Sequence, residues 1–366
     1  MSRIDSARLV PYRLTLRGYH WDAGGGFQER SGVLLLVTDS DGRLGLGDCA
    51  PLFPWSAPLE GCLPWLEQEA ARLPGLDPCH AWEALLADTL TADACPGPVR
   101  AAVEAAIGFL YSGQLGLPLS ALLGGTSLRP AWLCVNAVVD AGELDAALQQ
   151  ARLAATQGYT TFKLKVGIDP SRDASLVGQL RASLGGDATI RVDANGDWSP
   201  EEFRAIAPDL RCAGIEFVEQ PLAPVAVESA SLRLLRAETG LRIALDESLA
   251  DEATALRLID DGACDAVVLK PALLGLAASA RIARAARSAG LDVVVTGSFE
   301  SSAGYAVALE FAAAFGTRAI AHGLATALAV TDDPVRGVPQ PGRGMVNLPA
   351  AGVLPRLARG TAGSSP

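Results

Sequence analysis

FKLKVG, residues 162–167, has the apolar character of a buried strand yet carries two lysines, Lys163 and Lys165, one residue apart. Residues i and i+2 of a strand point to the same side, so both ammonium groups share one face, where each disfavours the other's charge. Taken alone, the six residues read as a wet edge strand. Their neighbours decide otherwise. From residue 132 onward, short apolar runs end in polar residues: WLCVNAVV (132–139), TFKLKVG (161–167), IRVDANG (190–196), IEFVEQP (215–221), IALDES (243–248), AVVLKP (266–271), DVVVTGS (292–298) and RAIAHG (318–323). Amphipathic, Ala- and Leu-rich stretches such as ELDAALQQARLAATQG separate them and read as helices, often closed by glycine. From Lys165 to Asp193 is 28 residues, then 26 to Glu219, 27 to Asp246 and 24 to Lys270. A repeat of that length is one strand, one helix and two loops, and about eight of them make an α/β fold of the (β/α)8 TIM-barrel type. An open doubly wound sheet is the alternative, but no G-x-G-x-x-G follows the first strands.

The flanks differ. LVPYRLTLRG, GVLLLVTDSDG and RLGLGDCAP alternate and turn at DSDG, which predicts an antiparallel sheet, and helical stretches follow near 58–72, 80–88 and 98–113. We therefore expect an N-terminal α+β capping domain over 1–115, the barrel over 116–325, and a Pro- and Gly-rich segment over 326–366 that runs back toward the first domain and ends in a flexible GTAGSSP. The Gly-rich DAGGGFQER (22–30) fits a mobile lid, since triple glycine loses much entropy on ordering.

Composition bounds the function. With 49% hydrophobic and 19% charged residues the chain has the balance of a globular protein with a sizeable core. A net charge of −11 argues against nucleic-acid and anionic-membrane partners. MSRIDSARLVPYRL lacks the apolar stretch of a signal peptide, and charges such as Lys270 and Glu310 interrupt the later apolar stretches, so no membrane span is expected. Seven scattered cysteines without a C-x-x-C pair favour reduced thiols and a cytoplasmic location. Three histidines make a His-rich zinc site a poor reading.

Polar residues at the C-terminal ends of barrel strands converge on the catalytic face. Asp193, Glu219 and Asp246 end three consecutive strands, and three hard oxygen donors without His or Cys suit Mg2+. Without a cation they would repel one another. Glu216 and Glu247 are rival donors, the first set opposite Glu219 by parity and the second one step beyond its strand end. Lys163 and Lys165 end the strand before these acids and Lys270 ends the strand after them, so a substrate between has an ammonium group on each face. Clustered cations and partial burial lower a lysine's pKa, which would make Lys165 a base near neutral pH. The chemistry inferred is proton abstraction next to a carboxylate, with Mg2+ stabilising the enediolate.

The set K-L-K (163–165), D-A-N (193–195), V-E-Q-P (218–221), L-D-E-S (245–248) and L-K-P (269–271) resembles the muconate-lactonizing branch of the enolase superfamily. GSFESSAG (297–304) resembles the o-succinylbenzoate synthases, G-D-C-A-P-L (47–52) is similar to that family's G-E-x-A-P-L turn with Asp48 for the usual Glu, and PLSALLGG (118–125) to its lead-in to the barrel. The likeness runs from about residue 8 to 347. It implies an enolase-superfamily barrel and a Mg2+-dependent dehydration, with Mn2+ able to substitute, of 2-succinyl-6-hydroxy-2,4-cyclohexadiene-1-carboxylate to o-succinylbenzoate in menaquinone biosynthesis. By the same resemblance Asp193, Glu219 and Asp246 would hold the metal. Lys165 would take the α-proton and help hydroxide leave as water in a syn elimination, Lys163 would tune it, and Lys270 would stabilise the opposite face. Arg191 and Asn195 share Asp193's inward parity and would brace the acids, a plain salt bridge inside the barrel being the other reading of Arg191. Ser298 and Glu300 end the seventh strand, where contacts with the substrate carboxylate are implied, a structural role being equally open for Glu300. Arg30 would hold the succinyl chain or be a surface arginine, and His322 is read as structural. A small-molecule carboxylate is the implied partner, and a homo-oligomer the family-level expectation.

Both lysines also suit an N-succinylamino-acid racemase or another racemase of the branch. A muconate cycloisomerase fits the ESSAG segment less well, and a dipeptide epimerase lacks its D-x-D in HGLATAL (322–328). A barrel that binds without catalysing is the remote alternative.

Overall fold

The structure, a computed structural model, describes residues 2–22, 25–53, 55–91, 94–124, 128–140, 142–167, 169–224 and 228–358. Residues 23–24 of the lid stretch and the tail 360–366 lie outside them. Strands β1 (Ile4–Asp22), β2 (Gly25–Asp39) and β3 (Leu44–Cys49) form the antiparallel sheet that the alternating N-terminal pattern predicts. Helices α1 (Leu59–Arg72), α2 (Pro78–Leu86) and α3 (Gly97–Leu115) follow. Asp77 starts α2 by accepting from the Cys79 and His80 amides, with Pro78 at the first helical position, where its missing N–H costs nothing. Strand β3 lies directly on α3. A Cβ at Gly47 would stand 1.8 Å from the Ala102 carbonyl oxygen, so only glycine permits that approach.

After α4 (Leu119–Leu122), the expected first barrel strand WLCVNAVV divides. Its front, β4 (Trp132–Cys134), pairs with a C-terminal strand, and only β5 (Ala137–Val139) enters the parallel sheet. The chain then alternates: α5 (Leu144–Thr156), β6 (Thr161–Lys165), α6 (Pro170–Leu184), β7 (Thr189–Asp193), α7 (Pro200–Cys212), β8 (Val218–Glu219), α8 (Ser229–Thr239), β9 (Ile243–Leu245), α9 (Glu252–Asp260), β10 (Ala266–Leu269), α10 (Pro271–Leu274), α11 (Leu276–Ser288), β11 (Asp292–Val295) and α12 (Ser302–Phe315). Local sequence sets these starts. Asp169, Ser199, Asp251 and Ser301 cap α6, α7, α9 and α12 through their side chains, and Ser199 with Glu202 makes a reciprocal capping box.

β5 to β11 form one parallel sheet in sequence order. The last run, RAIAHG, forms no regular strand. Residues 321–323 instead bridge the two sheet edges: the His322 amide donates to the Cys134 carbonyl at 2.8 Å and its carbonyl accepts from Asn136 at 3.1 Å. On the other side the Gly323 amide donates to Val295 at 2.9 Å. His322 is buried, its Nδ1 accepts from the Val295 amide at 3.2 Å, and burial with the nearby Arg191 pushes its pKa down to about 3. It is a neutral structural residue, as expected.

Inside the ring, Phe217, Ala244, Val268 and Val294 pack with Ala266 and Ile320. The first three lie two residues before Glu219, Asp246 and Lys270, so by strand parity they fill the barrel directly beneath the polar strand ends. The C-terminal segment returns to both flanks: Thr331 donates to the Thr15 carbonyl at 3.0 Å, β12 (Val335–Arg336) pairs with β14 (Arg356–Leu357), and β13 (Met345–Asn347) pairs with β4. Among the described residues no helix is long and apolar enough to cross a membrane.

Candidate active site

The register of the sheet assembles the site. Lys165 pairs with Asp193, and Asp193 with Glu219, across β6, β7 and β8, while Asp246 follows the end of β9 and Lys270 that of β10. Asp193, Glu219 and Asp246 are buried, and Glu247 joins them at 6% exposure. The sequence placed Glu247 beyond its strand. Because β9 stops at Leu245, Asp246 and Glu247 both sit in the turn, and both face the cleft.

Lysines interleave with these acids. Lys163 Nζ lies 2.9 Å from Asp193 Oδ2 and 2.6 Å from Glu219 Oε1. Lys165 donates to Asp193 Oδ2 at 2.9 Å and to Asn195 Oδ1 at 2.8 Å. Lys270 reaches both oxygens of Asp246 at 2.5 Å, and its other side is covered by the Trp55 indole, 3.6 Å from the ring centroid. For Lys163 the lowering expected of clustered cations is reversed. Burial disfavours the Lys163 charge, but Asp193, Glu219 and Asp246 outweigh it and hold its pKa well above the usual lysine value. Burial likewise opposes the Asp193 charge, yet Lys163 and Lys165 keep that carboxyl below its ordinary range. Glu219 is pushed up to about 7 and Glu247 to about 8, by burial and the neighbouring carboxylates.

Four buried carboxylates therefore face three ammonium groups, and Glu247 Oε2 has no hydrogen-bond partner. An acid-rich, all-oxygen pocket with unmet acceptor capacity fits a hard divalent cation. The acids do not meet at one point, however: among the described residues no three acid, histidine or cysteine side chains stand close enough to share an ion as they are. A cation and the ammonium groups compete for the same oxygens.

Asn195 accepts from Lys165 and donates to Glu247 Oε1 at 2.8 Å, so it braces the acids as its parity suggests. Arg191 does not. It pairs with Glu216 Oε2 at 2.5 Å, donates to the Ala321 carbonyl at 2.7 Å and lies over Phe217, tying β7 to the ring seam. Ser298 lines the cleft, but its amide and hydroxyl both donate to Glu300 Oε2, the hydroxyl at 2.8 Å, so the groups expected to meet a substrate carboxylate are committed to Glu300. Arg30 is not a surface arginine. It is buried and donates to the Pro51 carbonyl at 2.6 Å and the Ala50 carbonyl at 3.0 Å, groups that lose strand partners where β3 ends. Asp48 accepts from the Ser301 amide at 2.9 Å, its hydroxyl at 2.6 Å, and Tyr12 at 2.7 Å, which joins the N-terminal sheet to α12.

Two contributors escaped the sequence reading. Gln220 is fully buried and its Oε1 accepts from the Asp246 and Ser248 amides, both at 3.1 Å, fixing the turn that carries two of the acids. Its place in V-E-Q-P, beside Glu219, was the available signal. Trp55 lines the cleft with Leu52 from the loop after β3, a long-range contact with no local signal.

The cleft encloses about 110 Å³, walled by Leu52 and Trp55 on one side, Lys163 and Lys165 on another, and residues 296–299 at the end of β11. A family model described as "Enolase C-terminal domain-like" matches residues 146–353, more than half of the chain. The protein belongs to the enolase superfamily. Within the superfamily it falls in the muconate-lactonizing branch. It is 32% identical to an o-succinylbenzoate synthase of Thermosynechococcus vestitus over 69% of this chain and 71% of that protein. It is also 32% identical to a chloromuconate cycloisomerase of a Pseudomonas strain, over 57% of this chain but only 56% of that relative's length. Among solved enolase-superfamily folds, a dipeptide epimerase from Cytophaga hutchinsonii complexed with Mg and the dipeptide D-Ala-L-Val superposes with a TM-score of 0.85 at 25% identity, over 98% of this chain and 97% of that one.

Proposed function

We propose that the protein dehydrates 2-succinyl-6-hydroxy-2,4-cyclohexadiene-1-carboxylate to o-succinylbenzoate, a cytoplasmic step toward menaquinone. The observation that carries this reading is the inequality of the two lysines. Lys165 stands at the open cleft with its side chain 26% exposed, whereas Lys270 is 12% exposed and held between Asp246 and the Trp55 ring. Two-base racemisation needs both ammonium groups to exchange protons with one carbon from opposite faces. Syn elimination needs one mobile base and one fixed positive charge. Similarity to the Thermosynechococcus vestitus synthase and the GSFESSAG segment support the same choice.

In this reading Asp193, Glu219 and Asp246 hold a Mg2+ ion. When bound, that ion supplies positive charge against the substrate carboxylate. Lys165 removes the proton α to the carboxylate, and the electron pair expels the ring hydroxyl. The same ammonium returns its proton to the leaving oxygen, so that water departs and Lys165 is free again. Lys163 and Asn195 keep Lys165 aimed, and Lys270 holds positive charge on the opposite face.

N-Succinylamino-acid racemisation is the second reading, favoured by the placement of Lys165 at the end of β6 and Lys270 just after β10, on either side of the acids. Incubating the purified protein and Mg2+ with the diene acid, and separately with N-succinyl amino acids, distinguishes them. We expect water loss with aromatisation of the diene acid. An enzyme that racemises the amino acids and leaves the diene acid unchanged refutes the synthase reading.

A further inference from the structure

Among the described residues, five other than glycine adopt positive φ, and three of them, Asn195, Gln220 and Phe299, follow barrel strands, with Asn195 and Phe299 lining the cleft. Asparagine tolerates that conformation, and Gln220 is tied down by four hydrogen bonds of its side chain. Phe299, at φ 59°, is the costly one, because a bulky side chain in the left-handed region is strained. Such strain persists only where surrounding contacts over-determine it, and it concentrates at functional positions.

Those contacts are present on both sides of the residue. Ser298 and Glu300 are bonded to each other across it, and Ser301 is bonded to Asp48 and caps α12. The turn so fixed sends the Phe299 ring along the cleft wall and into a T-shaped contact with Phe27 of β2, at a centroid separation of 5.5 Å and an interplanar angle of 82°. Phe27 lies two positions past the hairpin partner pair Asp22–Gly25 in register, near the end of the long β1–β2 ribbon. The strained residue is thus a point where the N-terminal ribbon touches the rim of the cleft.

We propose that Phe299 is a specificity-determining residue that holds the β1–β2 ribbon against the cleft through Phe27 and presents the apolar wall on which the unsaturated ring of the substrate packs. The substrate arm rests on the proposed function, and the structural arm does not. The left-handed turn supplies the direction and the ring supplies the contact. Trp55 and Leu52 line the same cleft, and these apolar surfaces suit an unsaturated ring better than a flexible polar chain.

The test uses the full-length Mg2+-loaded protein and the variants Phe27→Leu, Phe299→Leu and Phe299→Asn, the last keeping a residue that accepts positive φ while removing the ring. Without substrate, backbone hydrogen exchange over residues 25–28 should quicken about tenfold in all three, the effect expected when an aromatic pair is lost, while β3 amides stay unchanged. The Phe27→Leu/Phe299→Leu double variant should exchange no faster than the quicker single variant. With the substrate that the wild type turns over, KM should rise about tenfold for both Phe299 variants with kcat held within about threefold. Unchanged exchange in every variant overturns the proposal, as does wild-type behaviour of Phe299→Asn, which would mean that the turn and not the ring matters. If the wild type leaves the diene acid untouched, the functional reading fails, while the exchange result still decides the role of the ring.

Discussion

The two walls of the cleft carry the same functional group in opposite settings. On the β6 side, Lys165 shares Asp193 and Asn195 with its neighbours and faces the open space. On the β10 side, Lys270 is clamped by one carboxylate and one indole. A cation stacked on tryptophan and partly desolvated gains about 1–2 kcal/mol, which favours a fixed positive charge over a moving base. A pair of lysines on opposite faces is therefore not by itself a two-base site. What surrounds each decides its task.

Lys165→Ala should break the comparison most deeply, lowering kcat by about 10³-fold or more, since the proposed base is removed. A smaller loss, measured by steady-state turnover of the diene acid, would mean that the β10 lysine can serve as the base. The next effect separates mechanical from chemical support behind the residue 298–301 wall. Burial first, and then the nearby Glu300, push Asp48 up to about 6, against the opposing hydrogen bonds from Ser301 and Tyr12. A carboxyl raised in the folded state stabilises the fold while protonated, so that stability is complete below about pH 4 and is lost as the pH climbs through about 6. Relative to wild type, Asp48→Asn should gain roughly 3 kcal/mol between pH 4 and 7 in urea unfolding. An offset that stays constant with pH would show that Asp48 does not titrate there.

The smallest effects sharpen the β10 side. Trp55→Leu should lower kcat about fivefold to tenfold, and Trp55→Phe less, because phenylalanine retains a ring for the cation. Lys270→Arg, which keeps the charge, should cost elimination less than tenfold, whereas any racemase activity should fall further. Equal losses in both assays would return Lys270 to the role of a base.

The strand-end acids and lysines were legible because two periodicities coincide in the sequence. Alternation within each strand sets the face, and the repeat of about 26 residues sets the height. Asn195 followed from the same parity. Arg191 obeyed the parity but bonded to Glu216 and the seam, since parity fixes a direction and not a partner. WLCVNAVV read as one strand because nothing in the run marks a break. The division appears only when β13, more than two hundred residues later, claims its first half. Trp55, Arg30 and the Phe27–Phe299 contact were hidden for the same reason. Each joins the N-terminal third to the barrel or to its own turn across a distance that no local pattern encodes.

The ring seam has a consequence for the order in which the molecule assembles. Strands β5 to β11 add one after another, each to the strand before it, so those contacts are local in sequence. The closing bonds join Cys134 and Asn136 to His322, and loop-closure entropy makes such distant pairings the last to form. The acids and lysines of β6 to β10 can thus be aligned on a growing sheet before the ring exists. Pulsed hydrogen exchange during refolding should find the His322 amide protected after that of Ala194, which bonds to Glu219 on the neighbouring strand. The seam is the final fastening of the fold, and Arg191, reaching across to Ala321, is one of the side chains that secure it.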